Sequence, residues 1–325
     1  MKDVEDAESR SQVKKAPKLV VLVPSRELVD QVAKVCKSLV SMEKFKCDSV
    51  LQGMSLKDIK TRIDTNIDVL ITVPNRLLQL EKENGLRLDS VKYLALDEAD
   101  TLFDSDFSKD LLEIIQKMKY EKLVAACATV TKPSERFIQK FLPDAVKVSM
   151  NLHKPVDKLK QRFFPVSSPI SRKTKCLQLL KSISTQALIF CNTLKSATEL
   201  HEFLSENADC HILHSRMPAG GRSSILQSFK EKKFRFLITT DLLARGVDFD
   251  IPHVVLYEFP RNPADYIHRI GRTARCGRGG KVSCLVAKRD EPLAKFIQMA
   301  NFSNKAFSEF KVLEFKNSKD NKKRK

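Results

Sequence analysis

A chain of 325 residues has the length of about two domains, and its 42% apolar content suffices for two ordinary cores. Charged residues make up 30% of it, and no apolar run approaches the roughly 18–20 residues of a bilayer span, so no membrane role is expected. The net charge of +18 is unevenly spread: residues 1–150 carry 25 basic and 24 acidic side chains, residues 151–325 carry 33 and 16. A positive field concentrated in one half favours polyanions, RNA or DNA, over neutral ligands.

The acidic, polar start Met1-Lys2-Asp3-Val4-Glu5-Asp6 is neither a signal peptide nor an Arg-rich transit peptide. Residues 1–17 are expected to be disordered. Eight cysteines occur without any C-x-x-C clip, and several, such as Cys36 and Cys191, fall in apolar runs. That pattern predicts reduced, buried thiols of an intracellular protein and neither zinc nor a disulfide framework.

From Lys18 onward, β-rich runs alternate with runs of helical period. Strands are predicted at 19–23, 47–51, 69–73, 93–96 and 123–126, with helices at 27–39, 56–63, 77–80, 111–118 and 136–141 between them. In the first helix, Leu28, Val32, Val35 and Leu39 fall on one face, which should point to the core. A polar stretch containing Asn151, His153, Lys154, Pro155 and Asp157 reads as a linker.

A second series follows the linker. Strands are predicted at 162–164, 187–190, 211–213, 234–239, 254–257 and 282–286, and helices at 173–183, 195–204, 222–229, 264–269 and 292–299. Strand–helix alternation at this spacing predicts parallel sheets covered on both faces. One sheet of so many strands is improbable, so two α/β domains are expected: 18–149 and 160–300, joined by 150–159. The tail 301–325 ends in ten residues of which six are basic, and should be disordered.

The chemistry gathers at strand ends. Asp97-Glu98-Ala99-Asp100 follows the apolar run 91–96, so a buried strand delivers carboxylates to its C-terminal end, where open α/β sheets bind ligands. Paired acids there suit a metal ion beside a nucleotide phosphate. No G-x-x-x-x-G-K-[ST] phosphate loop occurs in the chain. The 325 residues thus hold the metal side of a phosphate site without its cradle. Pro24-Ser25-Arg26, Thr72-Val73-Pro74-Asn75-Arg76 and Cys127-Ala128-Thr129 follow other predicted strands of the first half. Thr240-Asp241-Leu242-Leu243-Ala244-Arg245-Gly246-Val247-Asp248 and His268-Arg269-Ile270-Gly271-Arg272-Thr273-Ala274-Arg275 lie in the second.

The order of these six blocks resembles the DEAD-box RNA helicases of superfamily 2, from about Lys18 to Val286. The resemblance implies two RecA-like doubly wound domains that bind ATP and RNA across a cleft, the first truncated at its N-terminus. It implies that Asp97 holds Mg²⁺ through water and that Glu98 polarises the attacking water. Asp100 would couple to Thr129 and His268. Arg272 and Arg275 would reach the γ-phosphate when the domains close, and Asp248 would bond the ATP ribose. Arg26, Gly53, Thr72 and Arg76 would bind RNA phosphates in the first domain and Thr240 in the second. Arg222 would add a contact, although it reads equally well as a solvated helix arginine.

Several positions depart from the family pattern. Ser25 stands for Thr, Gln52 and Asn75 for Gly, and Cys127 for the Ser of the S-A-T block. The last loses a strong hydroxyl hydrogen bond. The adenine-reading Q motif and the phosphate loop should both precede Lys18, and none of the 17 residues there fits. With a core strand and helix lost, the first domain is expected to pack poorly and the chain as written to be inactive.

Two functions remain open on the sequence: a truncated ATP-dependent RNA helicase, or a non-catalytic RNA-binding scaffold derived from one. A DNA helicase is disfavoured by the pairing of D-E-A-D with H-R-I-G-R. The linker 151–154 resembles that of mitochondrial members acting in large-ribosomal-subunit assembly, which suggests ribosomal RNA or pre-ribosomal particles as partners and a mitochondrial location. The basic tail suits the nucleolus as the alternative. A monomer is expected.

Overall fold

A computed structural model describes residues 17–40, 44–51, 54, 58–59, 67–84, 86–103, 105–148, 159–244, 250–275 and 278–303. The chain divides into two compact units, which meet in sequence between Val146 and Lys147.

The first unit is a five-stranded sheet. Its strands are β1 (Leu19–Leu22), β2 (Cys47–Ser49), β3 (Val69–Thr72), β4 (Tyr93–Leu96) and β5 (Lys122–Ala125). They lie in the order β2-β3-β1-β4-β5, and every pairing is parallel. Its helices are α1 (Arg26–Val40), α2 (Pro74–Asn84), the single turn α3 (Ala99–Leu102), α4 (Ser105–Lys117) and α5 (Lys132–Phe141). Strand alternation sends Val20, Leu22 and Leu70 into one core, shared with Leu77, Leu80, Leu111 and Ile114 of α2 and α4. Leu19, Val21, Val69 and Ile71 face the other side, against Leu28, Val29 and Ala33 of α1.

The inward face of α1 differs from the predicted one. Leu28 is buried, but Val35 is 57% and Leu39 47% exposed. The buried stripe is instead Leu28, Val29 and Ala33, with Val32 and Cys36 packed beside it against Val69 and Ile71 of β3. The predicted helix 56–63 lies mostly outside the described residues; Asp58 and Ile59 are helical.

Among the described residues the first sheet is least covered at β5. On the edge strand β5, Val124 is 65% exposed, and Lys122 and Ala125 are exposed beside it. Among the described residues the rest of the unit packs into two apolar clusters, one on each face of the sheet.

The second unit is a six-stranded, wholly parallel sheet of β6 (Leu159–Val166), β7 (Ala187–Phe190), β8 (Cys210–Leu213), β9 (Phe236–Thr239), β10 (His253–Leu256) and β11 (Gly280–Ala287). The order is β6-β11-β10-β7-β9-β8. Strands β7, β9 and β10 are buried along their whole length, as central parallel strands must be. The helices are α6 (Pro169–Ser182), α7 (Leu194–Ser205), α8 (Ala219–Lys230), α9 (Pro263–Ile270) and α10 (Glu291–Ser303). Capping starts three of them: Ser168 and Thr193 accept from Ser171 N and Ser196 N at 3.1 Å each, and Asn262 from Asp265 N at 2.8 Å. Among the described residues no helix is long and apolar enough to cross a membrane.

The thiols are less uniformly buried than their sequence setting implies. Cys176, Cys191, Cys210 and Cys284 are buried, whereas Cys36 and Cys47 are half-buried and Cys127 is exposed. Cys127 stands just past the open edge strand, which explains its exposure.

His253 opens β10, pairs with Lys281 of β11, and has its Nε2 2.9 Å from Ser283 Oγ. Burial, with Lys281 and Arg162 alongside, pushes its pKa down to about 4 from an ordinary 6.5. Between those values the unfolded chain binds a proton that the native chain refuses, so stability is present above pH 6.5 and is lost as pH falls toward 4. Denaturant titration of the second unit should show a slope approaching about 1.4 kcal/mol per pH unit in that window. His253→Gln should flatten it; an unchanged slope would assign the acid sensitivity elsewhere.

Candidate nucleotide and RNA sites at the strand ends

In the first unit the parallel register fixes where loops emerge. Leu22 pairs with Thr72 on one side and Leu96 on the other, and Leu96 with Ala125. Thr72, the loop to Arg26, the acidic tetrad and the Cys127–Thr129 loop therefore line one edge of the sheet in that order.

Asp97 donates its backbone N–H to Leu22 O at 3.0 Å, extending the ladder one step past β4. Its carboxylate Oδ1 accepts the Glu98 N–H at 2.9 Å. Glu98 then sits in the left-handed region, φ 50° and ψ 46°, costly for a residue with a Cβ by about 1–3 kcal/mol. The Ala99 N–H donates to Ala126 O at 2.9 Å, tying the tetrad to the end of β5. Asp100 is buried; its Oδ1 accepts Thr101 N at 3.0 Å and its Oδ2 accepts the hydroxyl of the fully buried Thr129.

These partners separate the two aspartates. Asp97 is half-buried with carboxylate oxygen available beyond its one local bond, and Glu98 lies beside it. Such hard oxygen donors at a strand end fit a magnesium ion. Asp100 is committed to holding Thr129. The 325 residues contain no G-x-x-x-x-G-K-[ST] run.

Thr72 is fully buried and its hydroxyl donates to Val50 O at 2.7 Å. The threonine therefore fastens the end of β3 to the strand beside it. Arg76 is buried on α2; its Nη1 donates to Gln79 Oε1, while its buried Nε has no hydrogen-bond partner among the described residues. A buried guanidinium edge without a partner is costly unless a ligand takes it up. Arg26 begins α1 beside Glu27, against the helix dipole, which disfavours a cation at that end. Gly53 lies outside the described residues.

In the second unit Thr240 is half-buried at the end of β9, beside Asp241. Asp248 lies outside the described residues. Arg222 donates through Nη1 to Ser215 O and Met217 O, both at 3.0 Å, in the loop after β8. His268 is buried on α9. Arg272 is buried in the turn after it, and its carbonyl accepts the Ile251 N–H at 2.9 Å. Arg275 is half-buried and its Nε donates to Gly271 O at 2.6 Å.

The residue that sequence reasoning passes over is Arg269. It is 1% exposed, and its Nε and Nη2 grip Asp241 at 2.7 and 3.1 Å. Nη1 donates to Glu258 O at 3.1 Å, Nη2 to Asn192 Oδ1 at 2.7 Å, and the fork stacks 5.6 Å over the Phe190 ring. One guanidinium thus locks the ends of β7, β9 and β10 to α9. Its place inside the H-R-I-G-R-T-A-R octet is the available signal, but the octet alone does not distinguish a ligand-binding arginine from a bracing one.

Each of the two α/β units collects carboxylates, threonines and arginines at its parallel strand ends, the arrangement in which open α/β sheets carry their ligand sites. Residues 5–137 match the DEAD/DEAH box helicase family and residues 171–277 the helicase conserved C-terminal domain. The chain is 33% identical over 306 residues to DEAD-box ATP-dependent RNA helicase 39 of Arabidopsis thaliana, covering 89% of this chain and 49% of that protein. It is 32% identical to ATP-dependent RNA helicase eIF4A of Eremothecium gossypii, covering 85% of this chain and 71% of that one. It also resembles S. cerevisiae Dbp5 bound to RNA and ADP BeF3, with a TM-score of 0.79, 27% identity, and coverage of 92% of this chain and 77% of that one. The chain belongs to the DEAD-box helicases of superfamily 2. It spans about half the length of the Arabidopsis relative and 56% of DDX47 of Drosophila melanogaster.

Replacing Arg269 with Lys keeps the charge but loses the fork. The acceptors on Asp241, Glu258 and Asn192 cannot all be reached by one ammonium group, so the second unit should lose about 2 kcal/mol or more. Urea unfolding followed by a probe in residues 159–303 checks this; a loss below about 0.5 kcal/mol would mean the brace is dispensable.

Proposed function

We propose that this chain is the RNA-handling and metal-side portion of an ATP-dependent RNA helicase. The observation that carries the reading is the strained, fully tied Asp97–Asp100 turn beside Thr129. Asp97 would hold Mg²⁺ through water, and Glu98 would orient and polarise the water that attacks the terminal phosphate. The metal, when bound, neutralises charge on the phosphate oxygens. Arg272 and Arg275 would stabilise charge developing on that phosphate, the role in which guanidinium forks act best. Asp248 would read the ribose.

RNA would be held by its backbone, through Arg26, Gly53, Thr72 and Arg76 in the first unit and Thr240 in the second. Phosphate contacts position a strand without reading its sequence. The buried Nε of Arg76 supports a ligand on that helix. Arg222 serves this surface as a brace. Local duplex separation, a monomeric state, a role in ribosome assembly, and a mitochondrial rather than nucleolar site belong to the same proposal. Crosslinking of the tagged protein in cells, followed by sequencing of the bound RNA, tests them through enrichment of ribosomal RNA from one compartment.

Single-stranded RNA should bind without base preference. If about four phosphates are neutralised, log K should fall against log salt with a slope near about −3. Arg76→Ala should weaken binding to every sequence alike and make the slope shallower by somewhat under one. A slope near zero, or preference for one sequence, would contradict backbone recognition.

The 325 residues by themselves should not hydrolyse ATP, because the backbone N–H nest and lysine that cradle the phosphates are not among them. In a longer chain that carries such a loop, Glu98→Gln should leave ATP bound and stall turnover. Arg272→Ala should slow turnover by about 10³ or more. Activity surviving both changes would remove these roles. RNA binding with no ATP response in the longer chain would favour the scaffold reading.

A further inference from the structure

Among the described residues, Gly280 is the glycine that its neighbours crowd. It opens β11, is buried, and pairs with Leu159 of β6. A Cβ placed on it would stand 2.7 Å from Ala274 N and 2.9 Å from Ala274 Cβ, and would overlap Thr273 Oγ1. Gly220 and Gly221 face open space, and a Cβ on Gly271 would come no nearer to a neighbour than 3.1 Å. The backbone of Gly280 is not in the left-handed region, so the position calls for glycine by space and not by conformation.

The neighbours it admits are the two residues between Arg272 and Arg275. Thr273 is 1% exposed, and its hydroxyl has no hydrogen-bond partner among the described residues. Ala274 is buried with φ 55°, a conformation that an alanine holds only when its surroundings fix it. On one side of the pair the Arg272 carbonyl accepts the Ile251 N–H at 2.9 Å. On the other, Arg275 Nε reaches back to Gly271 O at 2.6 Å. A shift of Thr273 and Ala274 therefore moves the backbone from which both guanidinium groups project.

We infer that Gly280 is a positioning residue: its bare backbone lets the Thr273–Ala274 turn lie against the start of β11, and so sets where Arg272 and Arg275 present their side chains. What those arginines act on rests on the functional reading above; that Gly280 sets their turn does not. The Thr273 hydroxyl sits on a short, buried side chain and Ala274 N is main chain, so neither can swing aside for a methyl group. An alanine at 280 must push the turn outward, and the arginines move with it.

The test compares Gly280→Ala with the double variant Thr273→Ala/Gly280→Ala. In the 325-residue chain, amide hydrogen exchange at Ile251 reads the Arg272 carbonyl. Exchange at Cys191, which donates to Thr239 O at 2.8 Å, reads the sheet away from the turn. Gly280→Ala should speed exchange at Ile251 by about tenfold and leave Cys191 protected. Removing the Thr273 hydroxyl strands no partner and takes away the nearest clash, so the double variant should return Ile251 toward the protection of the unaltered chain. In a longer chain that carries a phosphate loop, Gly280→Ala should lower kcat for RNA-stimulated ATP hydrolysis by about 10²-fold, as ångström-scale misplacement of a catalytic group does, with KM for ATP and RNA affinity unchanged. Unchanged exchange at Ile251, or unchanged kcat in a longer chain that turns over, would overturn the inference. So would equal loss of protection at Cys191 and Ile251 in both variants, which would make Gly280 a general packing residue, or a double variant no better than the single one. Absence of turnover in the unaltered longer chain would overturn the functional reading alone, and exchange at Ile251 would still decide the role of Gly280.

Discussion

Parallel strand direction is the constraint on which everything else rests. In a parallel sheet each strand runs the same way, so every loop that follows a strand emerges at one edge. Residues from four distant stretches of the first half come together only because β3, β1, β4 and β5 are neighbours in register. One antiparallel insertion would send a functional loop to the opposite edge. The helices that cross back between strands are therefore part of the site, although none needs to touch a ligand to serve it.

The second unit shows what a single guanidinium can do inside such a frame. Arg269, Arg272 and Arg275 lie within seven residues, and their surroundings assign them different work. Arg269 spends its donors on protein acceptors from β7, β9 and β10. Arg275 donates through Nε to the turn that carries it and stays partly open to solvent. Charge alone does not identify a brace; the acceptors that surround the guanidinium of Arg269 do.

Most of the strands are legible in the sequence because buried parallel strands are short, continuous apolar runs: 93–96 and 187–190 coincide with β4 and β7. Periodicity places the helix starts too late at Pro74 and Pro169. There proline occupies the first helical turn, where its missing N–H costs nothing, rather than a boundary. The roll of α1 is not legible, since periodicity offers Val35 and Leu39 as readily as Val29 and Ala33. The packing against Val69 and Ile71 of β3 decides it. Of the site, the tetrad and the octet stand out as motifs. The bracing roles of Arg269 and Arg222 do not, because both depend on carbonyl oxygens that no side-chain pattern records.

The tetrad itself shows how one short run divides its labour. Glu98 adopts a backbone conformation that a non-glycine residue holds only when its surroundings insist. The ties are visible on both sides: Asp97 N–H to Leu22 O before it, Ala99 N–H to Ala126 O after it. Those bonds belong to β1 and β5, so the strain is supported by the sheet and not by the turn. The consequence is directional. Asp97 and Glu98 project at the strand end, where oxygen donors can meet a cation. Asp100 is carried one turn inward to the buried Thr129, where a charge without that hydroxyl would be costly. The same left-handed residue that leaves Asp97 and Glu98 half-buried at the strand end therefore buries Asp100, and the Thr129 hydroxyl makes that burial tolerable.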